Sequence, residues 1–354
     1  METMSDRRTP EAEDREARRL VKDLHTPRPE IFWTDLLLSA AVGWSSLAVA
    51  TAAKHFSWIA IAAIVVAVLA LYRGVCFLHE ITHLRQSALP GFETVWNFVL
   101  GVPMLIPSFM YVGVHQDHHK LSTYGTPQDP EYVPLAGRRL RITLLTLESF
   151  VVPALLMLRY VLIAPVSLLA PPVHRWLIER ASSLCINPQY RREFTAALGK
   201  KVAQWEAVTM CAWYVLVALS VFHILPWRFF ATWYVVSVLV ALVNMIRTLG
   251  AHHYANEGEA LDRDGQLSDT VDTPGALWTE LWAPVGLRYH AMHHYFPGIP
   301  YHNLGEAYWR LIRVLPPDSV YSQASSPSLV HSLHTLYQGD YAHTENNHAR
   351  TADA

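Results

Sequence analysis

An apolar run from about Phe56 to Leu78 is followed at once by two histidines, His79 and His83, with three residues between them. A helix of roughly 20 apolar residues crosses the hydrocarbon core of a bilayer, so this run predicts a membrane span. If the helix continues past Leu78, the two rings lie one turn apart on the same face. Two imidazoles placed in this way can bind one metal ion.

Two further clusters have the form His-x-x-His-His, and each can place two rings on one helical face. Their members are His115, His118, His119, His290, His293 and His294. Eight of the 19 histidines of the chain therefore fall in three short clusters. An isolated pair would as readily be two interfacial histidines exposed to water, but three clusters together predict a shared metal site.

The composition favours one membrane-embedded body over several soluble domains. The 354 residues are 51% hydrophobic and 16% charged, whereas soluble domains carry about 25% charged residues. The net charge of −2 gives no indication of a nucleic-acid partner. Three scattered cysteines without a CxxC motif support neither a disulfide framework nor a thiolate metal site. Residues 1–30 are polar and of mixed charge, which predicts an N-terminal arm and not a signal peptide.

Apolar runs in the rest of the chain predict an all-α integral membrane protein with four transmembrane helices in two hairpins. The predicted spans are Ile31–Ala53, Phe56–Leu78, Ala207–Leu225 and Phe229–Leu249. A basic excess in residues 171–205 predicts a cytoplasmic loop. The membrane domain is expected over residues 31–315, followed by a polar tail over 316–354. The histidines of that tail, His331, His334, His343 and His348, are expected to be solvated.

Two more apolar segments, Glu93–Val114 and Ile142–Ala170, are interrupted by prolines. Ligands of one metal centre must converge, and a full crossing by either segment would separate the clusters. We therefore expect both segments to be re-entrant or interfacial, which is tolerated where broken helices pack against protein. The alternative is that Glu93–Val114 is a true third span and that no shared site exists. With four crossings, all three clusters belong to one cytoplasmic cap.

Three functions are compatible with these clusters. His79-Glu80-x-x-His83 matches the zinc metalloprotease pattern with Glu80 as general base, but an intramembrane protease leaves six clustered histidines unexplained. A metal transporter would place its ligands near the middle of the bilayer, whereas these lie at helix ends. A two-metal, oxygen-activating centre accounts for eight or nine imidazoles, which suit iron, and it could oxidise a lipid anchored in the bilayer.

The three clusters and their order relative to the paired spans resemble the membrane fatty acid desaturase and hydroxylase superfamily. Three short segments support the resemblance, especially to bacterial acyl-lipid desaturases: Gly125–Glu131, Arg247–His252, and His293–Pro297 with Asn303. The resemblance covers about residues 30–315. The third cluster of this chain begins with His290, whereas front-end desaturases have glutamine at that position. Thr248 stands where acyl-CoA desaturases have an asparagine.

The resemblance implies a di-iron centre, with two Fe ions as cofactor and O2 as co-substrate. The implied ligands are His79, His83, His115, His118, His119, His252, His290, His293 and His294, with no catalytic residue separate from them. At the position after the last span, His253 is the alternative to His252. Candidates for carboxylate or amide groups that orient the ligands are Glu80, Asp117, Asp129, Glu131 and Asn303.

The expected function is O2-dependent desaturation of a fatty acyl chain linked to a lipid or a carrier. Hydroxylation of a lipid or carotenoid is the alternative within the superfamily, and the zinc metalloprotease is the alternative outside it. Because the chain has no His-Pro-Gly-Gly haem motif, the electrons must come from a separate ferredoxin, rubredoxin or cytochrome b5-like donor. The expected location is the bacterial inner membrane, with the active site facing the cytoplasm.

Overall fold

The computed structural model describes residues 9–340, and their regular structure is helical, with isolated bridges as the only β-type pairing. The helices are α1 (Pro10–Val21), α2 (Pro29–Ala52), α3 (Trp58–His83), α4 (Phe92–Trp96), α5 (Val114–His119), α6 (Arg139–Met157), α7 (Ala164–Leu169), α8 (Pro171–Ala181), α9 (Ala196–Val221), α10 (Arg228–Leu249), α11 (Arg263–Asp269), α12 (His290–Tyr295), α13 (Tyr301–Ile312), α14 (Val320–Gln323) and α15 (Leu329–Gln338).

Helices α2 and α3 form the first predicted hairpin. The Ser57 hydroxyl accepts a hydrogen bond from the backbone N–H of Ala60 at 3.2 Å and begins α3. The two helices are joined by an ion pair in which Arg73 donates to both carboxylate oxygens of Asp35, at 2.7 and 2.5 Å. Helix α3 continues to His83, five residues past the predicted end of the span at Leu78. The first cluster therefore lies on the last turns of a spanning helix.

The segment Glu93–Val114 is broken into short pieces, among them α4, a π turn over Asn97–Gly101 and a 3-10 turn over Ser108–Met110. Polar groups at this break find partners within the protein. The Asn97 side chain donates to the Ser108 hydroxyl at 2.8 Å and accepts from the Ser108 N–H at 2.7 Å. This pairing replaces backbone hydrogen bonds that a continuous helix would have made. No helix long enough to span a bilayer forms here among the described residues, and the chain leads directly into α5 and the second cluster.

Within residues 9–340, five helices are long and apolar enough to cross a membrane: Pro29–Ala52, Trp58–His83, Arg139–Leu169, Ala196–Val221 and Arg228–Leu249. Four of these correspond to the four predicted spans. The fifth, Arg139–Leu169, is the segment Ile142–Ala170 that we expected not to cross; it consists of α6, a π turn over Leu158–Ile163, and α7. The third span was predicted to begin at Ala207, whereas α9 already begins at Ala196.

The remaining helices build a cap on the side where α3 and α10 end. Helix α1 packs on α13, where Arg310 donates to the Leu20 carbonyl at 3.0 Å and to Asp23 at 2.6 Å. The described part of the predicted tail also belongs to the cap, since α14 and α15 contribute the buried side chains of Tyr321 and Leu336.

Candidate metal centre

The structure brings all nine predicted ligands together in two groups, each with ligand nitrogens within 4.8 Å of one another. The first group consists of His79, His83, His115, His119 and His293, and the second of His118, His252, His290 and His294. The groups adjoin, because the rings of His119 and His294 stack with centroids 4.3 Å apart. Each group combines histidines from different clusters, so neither is formed by one helix alone.

The Nε2 atoms within each group lie at the spacing of neighbouring ligands on one ion. In the first group, Nε2 of His293 is 3.1 Å from that of His83 and 3.2 Å from that of His119. In the second, Nε2 of His290 is 2.9 Å from that of His252 and 3.1 Å from that of His294. Two nitrogens at right angles, each about 2.1 Å from a metal ion, would be about 3.0 Å apart. The residues therefore fit two metal ions.

Unsatisfied nitrogens point to the same conclusion. Both ring nitrogens of His79 and Nε2 of His118 are buried without a hydrogen-bond partner in the described protein. A buried polar atom normally has a partner, and a metal ion would supply one here. Burial lowers the pKa of His119, His293 and His294, which keeps these rings in the neutral form that binds metal.

Three carboxylates lie beside Nδ1 of rings in the two histidine groups. Oε1 of Glu131 lies 2.6 Å from Nδ1 of His115, and Oδ1 of Asp129 lies 2.9 Å from Nδ1 of His118. A carboxylate at Nδ1 fixes the tautomer and leaves Nε2 free for the metal. Burial opposes protonation of His118, but the carboxylate of Asp129, together with those of Glu131 and Asp269, raises the pKa of the ring.

The third carboxylate, Asp269, was not predicted. Its Oδ2 is 3.3 Å from Nδ1 of His252 and accepts a hydrogen bond from the Tyr124 hydroxyl at 2.8 Å. Tyr111 is a second unpredicted contact, since its hydroxyl donates to Glu131 at 2.9 Å and lies 2.9 Å from Nδ1 of His115. The polar segment between α10 and α12 contains several acidic residues, and their positions in the sequence do not single out Asp269 from the others.

Three of the predicted orienting residues have other partners. Asp117 accepts from the Tyr190 hydroxyl at 2.7 Å and from Lys120, and the Asn303 amide donates to the Leu24 carbonyl at 2.8 Å. Within residues 9–340, neither side chain has a hydrogen bond to a ring of the two histidine groups. Glu80 accepts the N–H of Tyr301 at 2.9 Å, and its carboxylate is 3.8 Å from His79.

Of the two candidate histidines after the last span, the structure places only His252 in a histidine group. His252 lies in the second group, whereas His253 belongs to neither group and its N–H bonds to the Asp269 carbonyl at 2.8 Å. His331 and His334 are exposed on α15, away from both groups. His343 and His348 lie outside the described residues.

Comparison with known proteins agrees with this geometry. The sequence model of the fatty acid desaturase family matches residues 56–325, which include all nine histidines. A ceramide hydroxylase from Caulobacter vibrioides (strain NA1000 / CB15N) is 40% identical over 331 residues, covering 92% of this chain and 93% of that protein. The chain belongs to the fatty acid desaturase family.

Members of this desaturase and hydroxylase superfamily are histidine-ligated di-iron enzymes. The protein is accordingly an oxidoreductase of lipid metabolism, and its spanning helices make it an integral membrane protein. A metalloprotease is not supported, because His79 and His83 belong to a group with three further histidines. In addition, Glu80 is engaged by a backbone N–H.

Proposed function

We propose that this desaturase-family protein is an O2-dependent hydroxylase of a ceramide-like lipid, with the nine histidines as ligands of two irons. The observation that carries the proposal is the 40% identity to a ceramide hydroxylase over nearly the full length of both chains. Desaturation was the expectation from sequence motifs. Hydroxylation of a lipid, the alternative within the superfamily, has the stronger support, and a carotenoid substrate has none.

The protein's own residues prepare the site for this reaction. Two irons bound by the histidines would supply the activation of O2 needed to oxidise an unactivated C–H bond. Burial keeps the rings of His119, His293 and His294 neutral. Asp129, Glu131 and Asp269 lie beside Nδ1 of three other rings. His115 and His118 are fully buried, so this part of the centre is shielded from bulk water.

The stoichiometry of hydroxylation requires a partner. One oxygen atom of O2 enters a C–H bond, and the other leaves as water after taking up two electrons and two protons. The described residues include no second redox centre beside the histidine groups. A separate donor such as a ferredoxin, rubredoxin or cytochrome b5-like protein would deliver the electrons at the cytoplasmic face of the inner membrane.

We further propose that only four helices cross the bilayer, and that α6 and α7 enter and leave on the side of the metal centre. The chain just before α6 is tied to the peptide after α10, where the Leu135 N–H donates to the Tyr254 carbonyl at 3.0 Å. The chain after α7 is tied to the first turn of α9, where a ring nitrogen of His174 lies 3.1 Å from the Gly199 carbonyl. Because α9 and α10 form a hairpin, these two anchor points lie on one side.

The decisive experiment is expression in a ceramide-producing host that also supplies a competent ferredoxin system, followed by mass spectrometry of the lipids. Hydroxylation predicts ceramides heavier by one oxygen atom, which is about sixteen mass units, and dependence on O2. Ceramides or acyl chains lighter by two hydrogens would instead establish desaturation. A variant in which His293 is replaced by alanine serves as the inactive control, since it removes a ligand common to both outcomes.

A further inference from the structure

A 3-10 turn over Leu277–Leu281, in the polar segment between α11 and α12, presents an apolar surface to the outside of the protein. Leu277 is 88% exposed, Trp278 71% and Leu281 53%, whereas the polar Thr279 of the same turn is buried. A turn that faces water normally has the opposite arrangement, with its polar side chains outside. An exposed apolar surface of this kind indicates contact with an apolar phase or partner.

The turn lies beside the membrane-spanning part of α3 and not beyond its end. The Tyr72 hydroxyl donates to the Trp282 carbonyl at 3.0 Å, and Arg73 donates to the Glu280 carboxylate at 3.2 Å. Arg73 precedes Leu78, the predicted inner end of the span, by five residues, which correspond to about 8 Å along a helix. These two contacts therefore hold the turn at the depth of the lipid leaflet that borders the metal centre.

Charged side chains fix the turn at this depth from both of its ends. Glu280 also accepts a hydrogen bond from Arg288 at 3.4 Å, and Arg288 donates to the Gly275 carbonyl at 3.2 Å. Arg73 is held in turn by Asp35 of α2. Charged side chains at membrane depth are normally paired with one another in this way. The charged groups of the turn are thus directed toward the protein, and its apolar side chains are left outside.

We propose that Leu277, Trp278 and Leu281 form a surface of the cap that inserts into the lipid leaflet on the side of the metal centre. The surface continues the lipid-facing side of α2, where Leu38, three residues past Asp35, is exposed. Tryptophan and leucine suit the boundary between head groups and acyl chains, where inserted apolar groups lie about 5–10 Å deep. Since α12 follows the turn closely, the insertion keeps its histidines at the level of the lipid. This contact with the bilayer does not depend on which lipid is oxidised.

The test measures the surroundings of a nitroxide spin label at residue 277 in the full-length protein, reconstituted in phosphatidylcholine vesicles. Cys185→Ser and Cys211→Ser first remove the two native thiols that are exposed. Leu277→Cys carries the probe, and Leu38→Cys on α2 is the matched control inside the bilayer. Ser122→Cys, at an exposed position between α5 and α6, is the control in water. EPR power saturation gives the collision rate of each label with O2, which enters lipid, and with a water-soluble nickel chelate.

For Leu277→Cys, the ratio of O2 to nickel collision rates should match that of Leu38→Cys. It should exceed the ratio for Ser122→Cys at least about 10-fold, because a polar complex is excluded from hydrocarbon. Trp278→Cys should behave in the same way, and it replaces the first probe if that variant does not fold. A ratio equal to that of Ser122→Cys would overturn the inference and leave the turn in water. Low collision rates with both reagents, with spin–spin broadening that disappears on dilution with unlabelled protein, would overturn it in favour of a second copy of the chain covering this surface.

Discussion

Nδ1 of His118 lies between the two carboxylate oxygens of Asp129, at 2.9 and 3.0 Å, and both side chains are buried. Asp129 is held in turn by the N–H groups of Gly125 and Glu131, at 2.9 and 2.8 Å. The ring therefore has one orientation, with Nε2 directed at His252 and His294. The loop after the second cluster thus orients His118 through Asp129, and it orients His115 through Glu131.

Replacing Asp129 by asparagine should lower iron affinity or turnover about 10- to 100-fold, because the amide cannot hold Nδ1–H as a carboxylate does. Asp117→Asn is the matched control, since Asp117 bonds to Tyr190 and Lys120 and to no ligand ring. Iron analysis and hydroxylation assays on both variants provide the measurement. Equal losses in the two variants would mean that Asp129 acts only through folding of its loop.

Replacing either His293 or His290 by alanine should abolish turnover and reduce iron to fewer than two ions per chain. The first belongs to the five-histidine group and the second to the four-histidine group, so each removes a bond to a different ion. His331→Ala, on the exposed face of α15, should retain both iron and activity. Elemental analysis after anaerobic iron loading decides the matter. Two irons retained in His293→Ala would remove this residue from the ligand set.

Glu80→Gln should retain most of the O2-dependent activity. The Glu80 carboxylate accepts the Tyr301 N–H at 2.9 Å, and a glutamine carbonyl can accept the same bond. A metalloprotease would lose its general base through this change. Thermal unfolding and lipid hydroxylation, measured side by side, separate a chemical effect from a structural one. Complete loss of turnover with unchanged unfolding and iron content would show that Glu80 has a direct part in the reaction.

Cysteine labelling at two exposed sites tests the proposed topology. Ser122 and Gln189 lie on either side of the α6–α7 segment, and both are exposed. We expect Ser122→Cys and Gln189→Cys to react with a membrane-impermeant maleimide only from the cytoplasmic face. Phe56 is 94% exposed in the turn between α2 and α3, and Phe56→Cys should react from the opposite face. Opposite labelling of Ser122→Cys and Gln189→Cys would establish Arg139–Leu169 as a fifth crossing.

The amino-acid sequence by itself determined the spanning helices of this protein and the pairing of histidine rings within each cluster. Apolar run length indicated the helices α2, α3, α9 and α10, because bilayer thickness sets the number of residues that a span needs. Spacings of three and four residues placed pairs of rings on one helix face, since 3.6 residues make a turn. Asp129 and Glu131, which follow the second cluster closely in the chain, were among the predicted orienting residues, and both lie beside its rings.

The division of nine histidines into groups of five and four was decided by tertiary structure alone. His79 and His293 are separated by more than 200 residues in the chain, yet their rings lie 4.2 Å apart. Packing of the cap against the ends of α3 and α10 also selected Asp269 over its acidic neighbours and gave Asp117 and Asn303 other partners. Such contacts depend on how distant elements meet, and a one-dimensional pattern reports only what lies within a few turns.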